Sequence, residues 1–410
     1  MYGIIVGALS FLDPAWGVFS IFVVCENYGI ALLGPEVSVV RLVVPVVVLA
    51  IVARYLLRRR FPRPDQVWIL TAVFYVYACV VSLIFGHLNV RMVAFMLSSL
   101  IIRALVTHDS VVLKRVLSLY VLATLISAGV GLVKGGYIVG GRSLYRFIGG
   151  FTDPNVFAKY LLIALTVVLF SRAIGSRLLR RVLAGTLIVL TIFTYSKMGM
   201  LVAGVLILAY LVTRVCSLKS GRTYRSGLVT VGLLIALSVT LVFLTLRSIP
   251  LVGNVVERFT VGLSHPLNAD QFLDALTTKR WSLWNASVDA FVNSDLASQV
   301  FGTGYNASRE ALQLIVGELK STHSVFLQVL LDFGLLGCIL FIFILLLSLD
   351  WRTAHFATFI RTNSLWFTYV ATFAALAWIF DWSNLPFFAW VGTQSFREIS
   401  NLEQGCHDGD

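Results

Sequence analysis

Residues 39–63 read VVRLVVPVVVLAIVARYLLRRRFPR. The first part, 39–57, has about the 20 predominantly apolar residues that an α-helix needs to cross a bilayer. The second part carries Arg54, Arg58, Arg59, Arg60 and Arg63, the densest basic cluster in the chain. Lysine and arginine flanking a span favour the cytoplasmic side. The cluster therefore places the C-terminal end of this segment inside and sets the direction of every later crossing.

Working outward, the chain of 410 residues is 58% apolar with a mean hydropathy of +0.89. A soluble domain of that size has nowhere to bury so much hydrocarbon surface, so the fold class is an all-α polytopic membrane protein. Further apolar segments lie at 67–85, 92–106, 116–133, 156–170, 182–195, 198–212, 228–246, 324–348 and 365–380, with a short one at 385–392. With 2–33 and 39–57 they make about twelve crossings. The 2–33 stretch is broken at Asp13-Pro14, which fits one kinked crossing or two short ones. It has no basic n-region or cleavage signal, so it reads as a retained membrane segment. The net charge of +12 sits in short clusters between apolar segments, which points to membrane orientation and no nucleic-acid partner. Five scattered cysteines, Cys25, Cys79, Cys216, Cys338 and Cys406, form no disulfide or zinc pattern.

The whole chain, 1–410, reads as one membrane domain. Its one long polar interval runs over 246–337, and residues 247–322 form a large loop that the alternation places outside the cytoplasm. Trp281, Trp284, Val288 and Phe291 recur at helical spacing, as do Ala311, Leu312, Leu314, Ile315 and Leu319. Two short amphipathic helices on the outer interface are expected.

His323 closes this loop. Thr322 or Ser321 would cap the helix that follows, which puts His323 in its first turn, where the helix dipole lowers the imidazole pKa and leaves a ring able to accept a proton. The competing reading is an interfacial histidine facing water. Lys197, in Tyr195-Ser196-Lys197-Met198-Gly199, sits at the outer boundary, either facing a cavity or snorkelling to headgroups. Arg280 lies one turn before Trp284, and its fork suits a phosphate or simply faces solvent. Lys134, Arg142 and Arg146 fall in a glycine-rich external loop over 134–153. Arg41 and Asp332 are intramembrane ions best read as structural ion pairs. No metal-ligand cluster occurs in the external loops and no Walker-type loop occurs anywhere. No metal or other cofactor is expected.

Several stretches together resemble the O-antigen ligase and O-antigen or exopolysaccharide polymerase superfamily of bacterial inner-membrane glycosyltransferases. They are Arg146-Phe147-Ile148-Gly149-Gly150-Phe151-Thr152-Asp153-Pro154-Asn155, Ser196-Lys197-Met198-Gly199, Arg280 with Trp284, Gly302-Thr303-Gly304-Tyr305, and His323-Ser324 with Gly334 and Gly337. The resemblance implies metal-independent, inverting transfer of a glycan from undecaprenyl pyrophosphate to an acceptor hydroxyl at the periplasmic face. His323 and Arg280 would be catalytic, and Lys197, Arg280 and Arg146 would hold the pyrophosphate. The family usually has arginine where Lys197 stands. The acceptor would be a lipid-linked repeat in a polymerase, the favoured reading, or lipid A core in a ligase. Membrane lipids and a chain-length regulator are the further partners implied. A lipid-linked sugar flippase is the reading from another class, and neither internal repeats nor intramembrane acids for ion coupling support it.

Overall fold

The computed structural model describes residues 2–24, 39–58, 64–107, 109–133, 135, 137–140, 144–151, 153–171, 173–216, 268–277, 280–317, 321–351, 355–373, 379 and 384–393. The expected crossing at 228–246, the start of the long loop, and the expected candidates Lys134 and Arg142 lie outside them, as does the side chain of Arg41.

The architecture is a helical bundle. Among the described residues, four helices are long and apolar enough to cross a membrane: α4 (Gln66–Ile84), α6 (Ser110–Val133), α9 (Lys197–Cys216, over 197–214) and α14 (Val325–Ser348). Around them stand α1 (Tyr2–Leu12), α2 (Pro14–Val24), α3 (Val39–Arg58), α5 (Val90–Val106), α7 (Pro154–Phe170) and α8 (Arg177–Phe193). The long loop contributes α10 (Ala269–Thr277), α11 (Arg280–Val292), α12 (Leu296–Phe301) and α13 (Ala307–Val316). After α14 come α15 (Phe356–Thr362), α16 (Ser364–Phe373) and α17 (Leu385–Trp390). The expected pair of loop helices corresponds to α11 and α13. The other two are short elements whose periodicity is too brief to read.

Local signals explain the helix starts. Asp65 accepts from Trp68 N at 2.7 Å to cap α4, Asn89 from Arg91 N at 2.8 Å to cap α5, and Ser176 from Leu179 N at 3.3 Å to cap α8. Each satisfies an N–H that the first helical turn leaves without a partner.

The 2–33 segment resolves into two short helices in its described part. α1 and α2 have 11 residues each, roughly 16 Å apiece at 1.5 Å per residue, and they fold back on each other at Asp13-Pro14. Ser10 abuts Gly17, and Gly7 and Gly17 pack on Val46 and Val47 of α3. Arg54 caps the hairpin by donating to the carbonyls of Phe11, at 2.8 Å, and Leu12.

Two expectations need correction here. The 134–153 stretch, read as a glycine-rich external loop, contains an antiparallel hairpin of β1 (Tyr137–Gly140) and β2 (Leu144–Phe147), with Tyr137 opposite Phe147 and Ile138 opposite Arg146. The 385–392 segment is no crossing: α17 has six residues, about 9 Å of helix, and every one is buried. It plugs the bundle beside α5, where Phe388 meets Tyr75 and Phe95, and Trp390 meets Phe22 and Tyr120.

Arg103 holds this plug in place. It is fully buried, donates to both carboxylate oxygens of Asp65 at 3.0 and 2.6 Å, and donates to the carbonyls of Phe388 at 3.3 Å and Val391 at 3.0 Å. One guanidinium thereby joins the start of α4, the end of α5 and the ends of α17.

Candidate active site

A second set of charged groups gathers around the start of α7. Asp153 caps α7 by accepting from Asn155 N at 2.6 Å and Val156 N at 3.4 Å, with Pro154 in the first turn. The chain then runs down α7 to Lys159, one turn further in. β2 brings Arg146 to the same place: its Nε donates to Thr194 O at 3.1 Å and its Nη2 to Asn155 Oδ1 at 3.3 Å. Asn155 Oδ1 also accepts from Ser196 Oγ at 2.9 Å. Arg146 thus ties the hairpin to the first turn of α7 and to the α8–α9 junction. Phe147 and Phe151 pack on Phe157 to fix the hairpin's orientation.

Arg280 opens α11 and faces the small cavity between these elements. Asn155, Ala158, Lys159, Leu162, Ser196, Met198, Gly199 and Thr372 line it with Arg280, and its interior is about 10 Å³, room for roughly one water molecule. Burial lowers the Arg280 pKa from the ordinary arginine value and nearby Asp153 opposes that shift. The group stays cationic throughout the physiological range. It makes no hydrogen bond or salt bridge with the described residues. Asp153 directs its carboxylate at its own helix instead, so Arg280 has charge compensation nearby while its fork remains open.

His323 lies within electrostatic reach of both. Its pKa is lowered, first by burial and then by the Arg280 cation, with Asp153 acting in the opposite sense. The imidazole is therefore neutral at pH 7. The direction matches the expectation, but the cause does not. The helix cap is Ser324, which accepts from Leu327 N at 3.5 Å, and α14 starts at Val325. His323 stands before the cap in a left-handed conformation with φ 50°, not in the first turn. Left-handed backbone is costly for a non-glycine residue and gathers at functional sites. Tyr195, next to Ser196, has φ 49°, and Asn306 has φ 70°.

Lys197 is the first residue of α9. Its neighbours Ser196, Met198 and Gly199 line the cavity with Lys159, which went unnoticed in the sequence. Lys159 is 1% exposed. It donates to Asn384 Oδ1 and sits 5.4 and 5.3 Å from the ring centres of Tyr369 and Phe373, close enough for cation–π attraction. The sequence signal was an ammonium inside an apolar run, which hydropathy averaging conceals.

Asp332 corrects another expectation. No described cation pairs with it directly. Its carboxylate accepts from Asn306 N at 3.1 Å, Ser308 N at 2.8 Å and Gln328 Nε2 at 3.0 Å, and its carbonyl accepts from Thr303 N and Gly304 N. From Gln328 the bonds continue: its Oε1 accepts from Ile379 N at 2.8 Å, and Ile379 O accepts from Asn384 Nδ2 at 3.1 Å. Asn384 reaches Lys159. The two buried charges belong to one network, with two carboxamides between them, and every hydrogen bond in it satisfies a group that is expensive to bury alone.

The Gly302-Thr303-Gly304 turn fits against a break in α14. Gly334 has φ 64° and ψ −169° inside that helix, a conformation essentially confined to glycine. A Cβ there would lie 2.5 Å from Gly302 N and Val300 O. The loop backbone enters the break, which fixes α12 and α13 relative to His323. Trp284, one turn after Arg280, has a buried indole N–H with no acceptor among the described residues.

Arg146, Lys159, Ser196, Arg280 and His323 therefore come from five separate parts of the chain. The arrangement offers an anion site and a neutral base. No curated protein matches the chain. Residues 182–342 match the family model described as O-Antigen ligase. The match takes in Lys197, Arg280 and His323 and leaves out Arg146, Asp153 and Lys159. The matched family falls within the superfamily that the sequence motifs resemble.

Proposed function

We propose that the protein is a glycosyltransferase of the bacterial inner membrane that polymerises undecaprenyl-pyrophosphate-linked repeat units at the periplasmic face. The observation that carries this reading is the pair formed by Arg280 and His323, a half-buried cation and a neutral imidazole that make no hydrogen bond with the described residues. A neutral imidazole can take the proton of an acceptor hydroxyl as its oxygen attacks the anomeric carbon. The bond from that carbon to the pyrophosphate oxygen breaks on the opposite face, which inverts the configuration. The departing pyrophosphate carries the negative charge to Arg280, whose fork can bind it bidentately. Lys197 and Arg146 are assigned to the same anion, and the Trp284 N–H is available to a ligand oxygen. Charge neutralisation by these side chains supports a metal-independent reaction. The acceptor is a second lipid-linked repeat, membrane lipids hold the carrier tail, and a chain-length regulator is the protein partner.

Ligation to lipid A core uses the same chemistry with another acceptor. Deleting the gene and resolving surface polysaccharide on a gel distinguishes the two. Loss of long chains with one repeat left on the core is the expected result, whereas loss of every repeat from lipid A core identifies a ligase. Purified protein given only lipid-linked repeats is expected to lengthen them. Movement of the lipid without lengthening would identify a transporter.

A further inference from the structure

A cavity of about 460 Å³ opens beside the corner of the α1–α2 hairpin, near the end of α7 that lies away from Arg280. Arg54, the first arginine of the basic cluster, caps that corner, so the charge pattern of the sequence assigns this end to the cytoplasmic boundary of the membrane. α2 packs along α6, and Ser118 of α6 donates to Ala173 O at 2.9 Å just beyond α7, so three separate parts of the chain border the space. Ligand sites run to about 300–1,000 Å³. This one therefore admits a headgroup, where the space of about 10 Å³ beside Arg280 admits a water molecule.

The lining is amphipathic. Arg115 donates from Nη1 to Asp13 Oδ2 at 2.9 Å, and the other Asp13 oxygen accepts from Ala15 N at 3.1 Å. Asp13 thus offsets Arg115 and has both oxygens engaged. Lys114 supplies the remaining positive charge, and its exposed ammonium makes no hydrogen bond or ion pair with the described residues. The indole N–H of Trp16 makes no hydrogen bond with them either, while its ring stands edge-on to Phe19 at 5.5 Å and the residue is 42% exposed. Val111 and Leu119 add an apolar wall. Lysine and tryptophan at a bilayer boundary commonly meet headgroups one at a time. Boundary preference alone does not gather an ammonium, a guanidinium and an indole donor around one concave space.

We infer that the cavity bordered by Trp16, Lys114 and Arg115 holds the phosphodiester headgroup of an anionic phospholipid. A phosphodiester carries a single negative charge, which matches the charge that Lys114 leaves unbalanced in the lining. Lys114 meets it as a point charge, Arg115 offers the part of its fork not given to Asp13, and the Trp16 N–H can only donate, so each complements an oxygen that only accepts. The acyl chains lie against Trp16, Val111 and Leu119. Inorganic phosphate carries more charge and brings nothing to cover that apolar wall.

The test uses the full-length protein in detergent, with the thermal unfolding midpoint followed as phosphatidylglycerol, phosphatidylethanolamine or inorganic phosphate is added. Phosphatidylglycerol is expected to raise the midpoint of the wild type where the other two do not. Lys114→Gln removes an exposed charge that makes no bond with the described residues, so the variant should fold normally. Its half-maximal phosphatidylglycerol concentration should rise about tenfold, as expected when a charge-assisted contact is lost. Trp16→Phe keeps a ring on Phe19 and removes only the N–H, and should raise that concentration about threefold. Arg177→Gln removes a cation from the start of α8, outside the cavity, and should change nothing. A loss in Arg177→Gln equal to that in Lys114→Gln would show general attraction to the basic surface and overturn the inference. An unchanged response in either cavity variant, or no shift in the wild type, overturns it too. A Lys114-dependent shift with phosphatidylethanolamine or inorganic phosphate would rule out the assignment to an anionic phospholipid. None of these outcomes depends on glycan transfer, so the site and the proposed reaction stand or fall separately.

Discussion

Arg103 and Arg280 invite comparison because each accompanies an aspartate that caps an apolar helix, Asp65 for α4 and Asp153 for α7. Arg103 uses its fork fully, with both carboxylate oxygens and two carbonyls as acceptors. Arg280 makes no hydrogen bond with the described residues, although Asp153 is near enough to act on its proton affinity. The same two residue types therefore build a joint at one end of the bundle and a receptive site at the other. The difference lies in geometry: Asp65 divides its oxygens between its own helix and the arginine, while Asp153 is held by its helix alone.

This contrast can be broken by exchanging the two losses. Arg280→Gln is expected to leave the unfolding midpoint near wild type and to lower glycan transfer by about 10²- to 10³-fold, the cost typical of removing one donor to a developing anion. Arg103→Gln should do the reverse. Leaving Asp65 and two carbonyls without their cation costs about 3 to 5 kcal/mol, to be read as a fall in folded yield and in midpoint. A stability loss for Arg280→Gln equal to that for Arg103→Gln would erase the distinction. A smaller effect is expected at the loop joint, where Gly334→Ala forces a Cβ into Gly302 and a non-glycine residue into a glycine-only conformation. About 1 to 3 kcal/mol should be lost, with transfer falling as His323 shifts, measurable by unfolding and activity on the same preparation.

The smallest effect sharpens the comparison most. Asp153→Asn keeps a helix-capping oxygen and removes the negative charge that raises the His323 pKa. His323 should then hold its proton less tightly, and the acid limb of the pH–rate profile should move to lower pH. The stability sign follows: a histidine whose folded pKa is depressed contributes stability above its unfolded value, near 6.5, and that contribution is lost as pH falls through the folded value. A limb that moves to higher pH would show that Asp153 does not act on His323.

The sequence revealed the parts that depend on nearby residues. Apolar runs and the start of a loop helix near Arg280 follow from periodicity and composition. What it concealed depends on distant partners. Lys159 is one polar residue in an apolar helix until Asn384, Tyr369 and Phe373 arrive from far along the chain. Asp332 looked like half of an ion pair because a carboxylate's best-known partner is a cation, but turn amides from 306 and 308 serve it. The cap at Ser324 displaced the predicted one because Thr322 directs its hydroxyl to Ser324 O at 2.8 Å. The hairpin of β1 and β2 is too short for alternation to stand out against its glycines.

The break at Gly334 also bears on the order of assembly. Tyr77 donates its hydroxyl to Phe301 O at 2.8 Å and Phe333 O at 3.0 Å, contacts that span 224 and 256 residues. With one proton, it serves the two carbonyls in turn. The loop and the broken helix can meet early, since only about thirty residues separate their glycines and short loops close at low entropic cost. The tyrosine that fastens them was made long before and must wait in α4 for both to arrive. Non-local contacts of this kind set the slow steps of folding, so completion of the end that holds Arg280 and His323 should trail insertion of the individual helices.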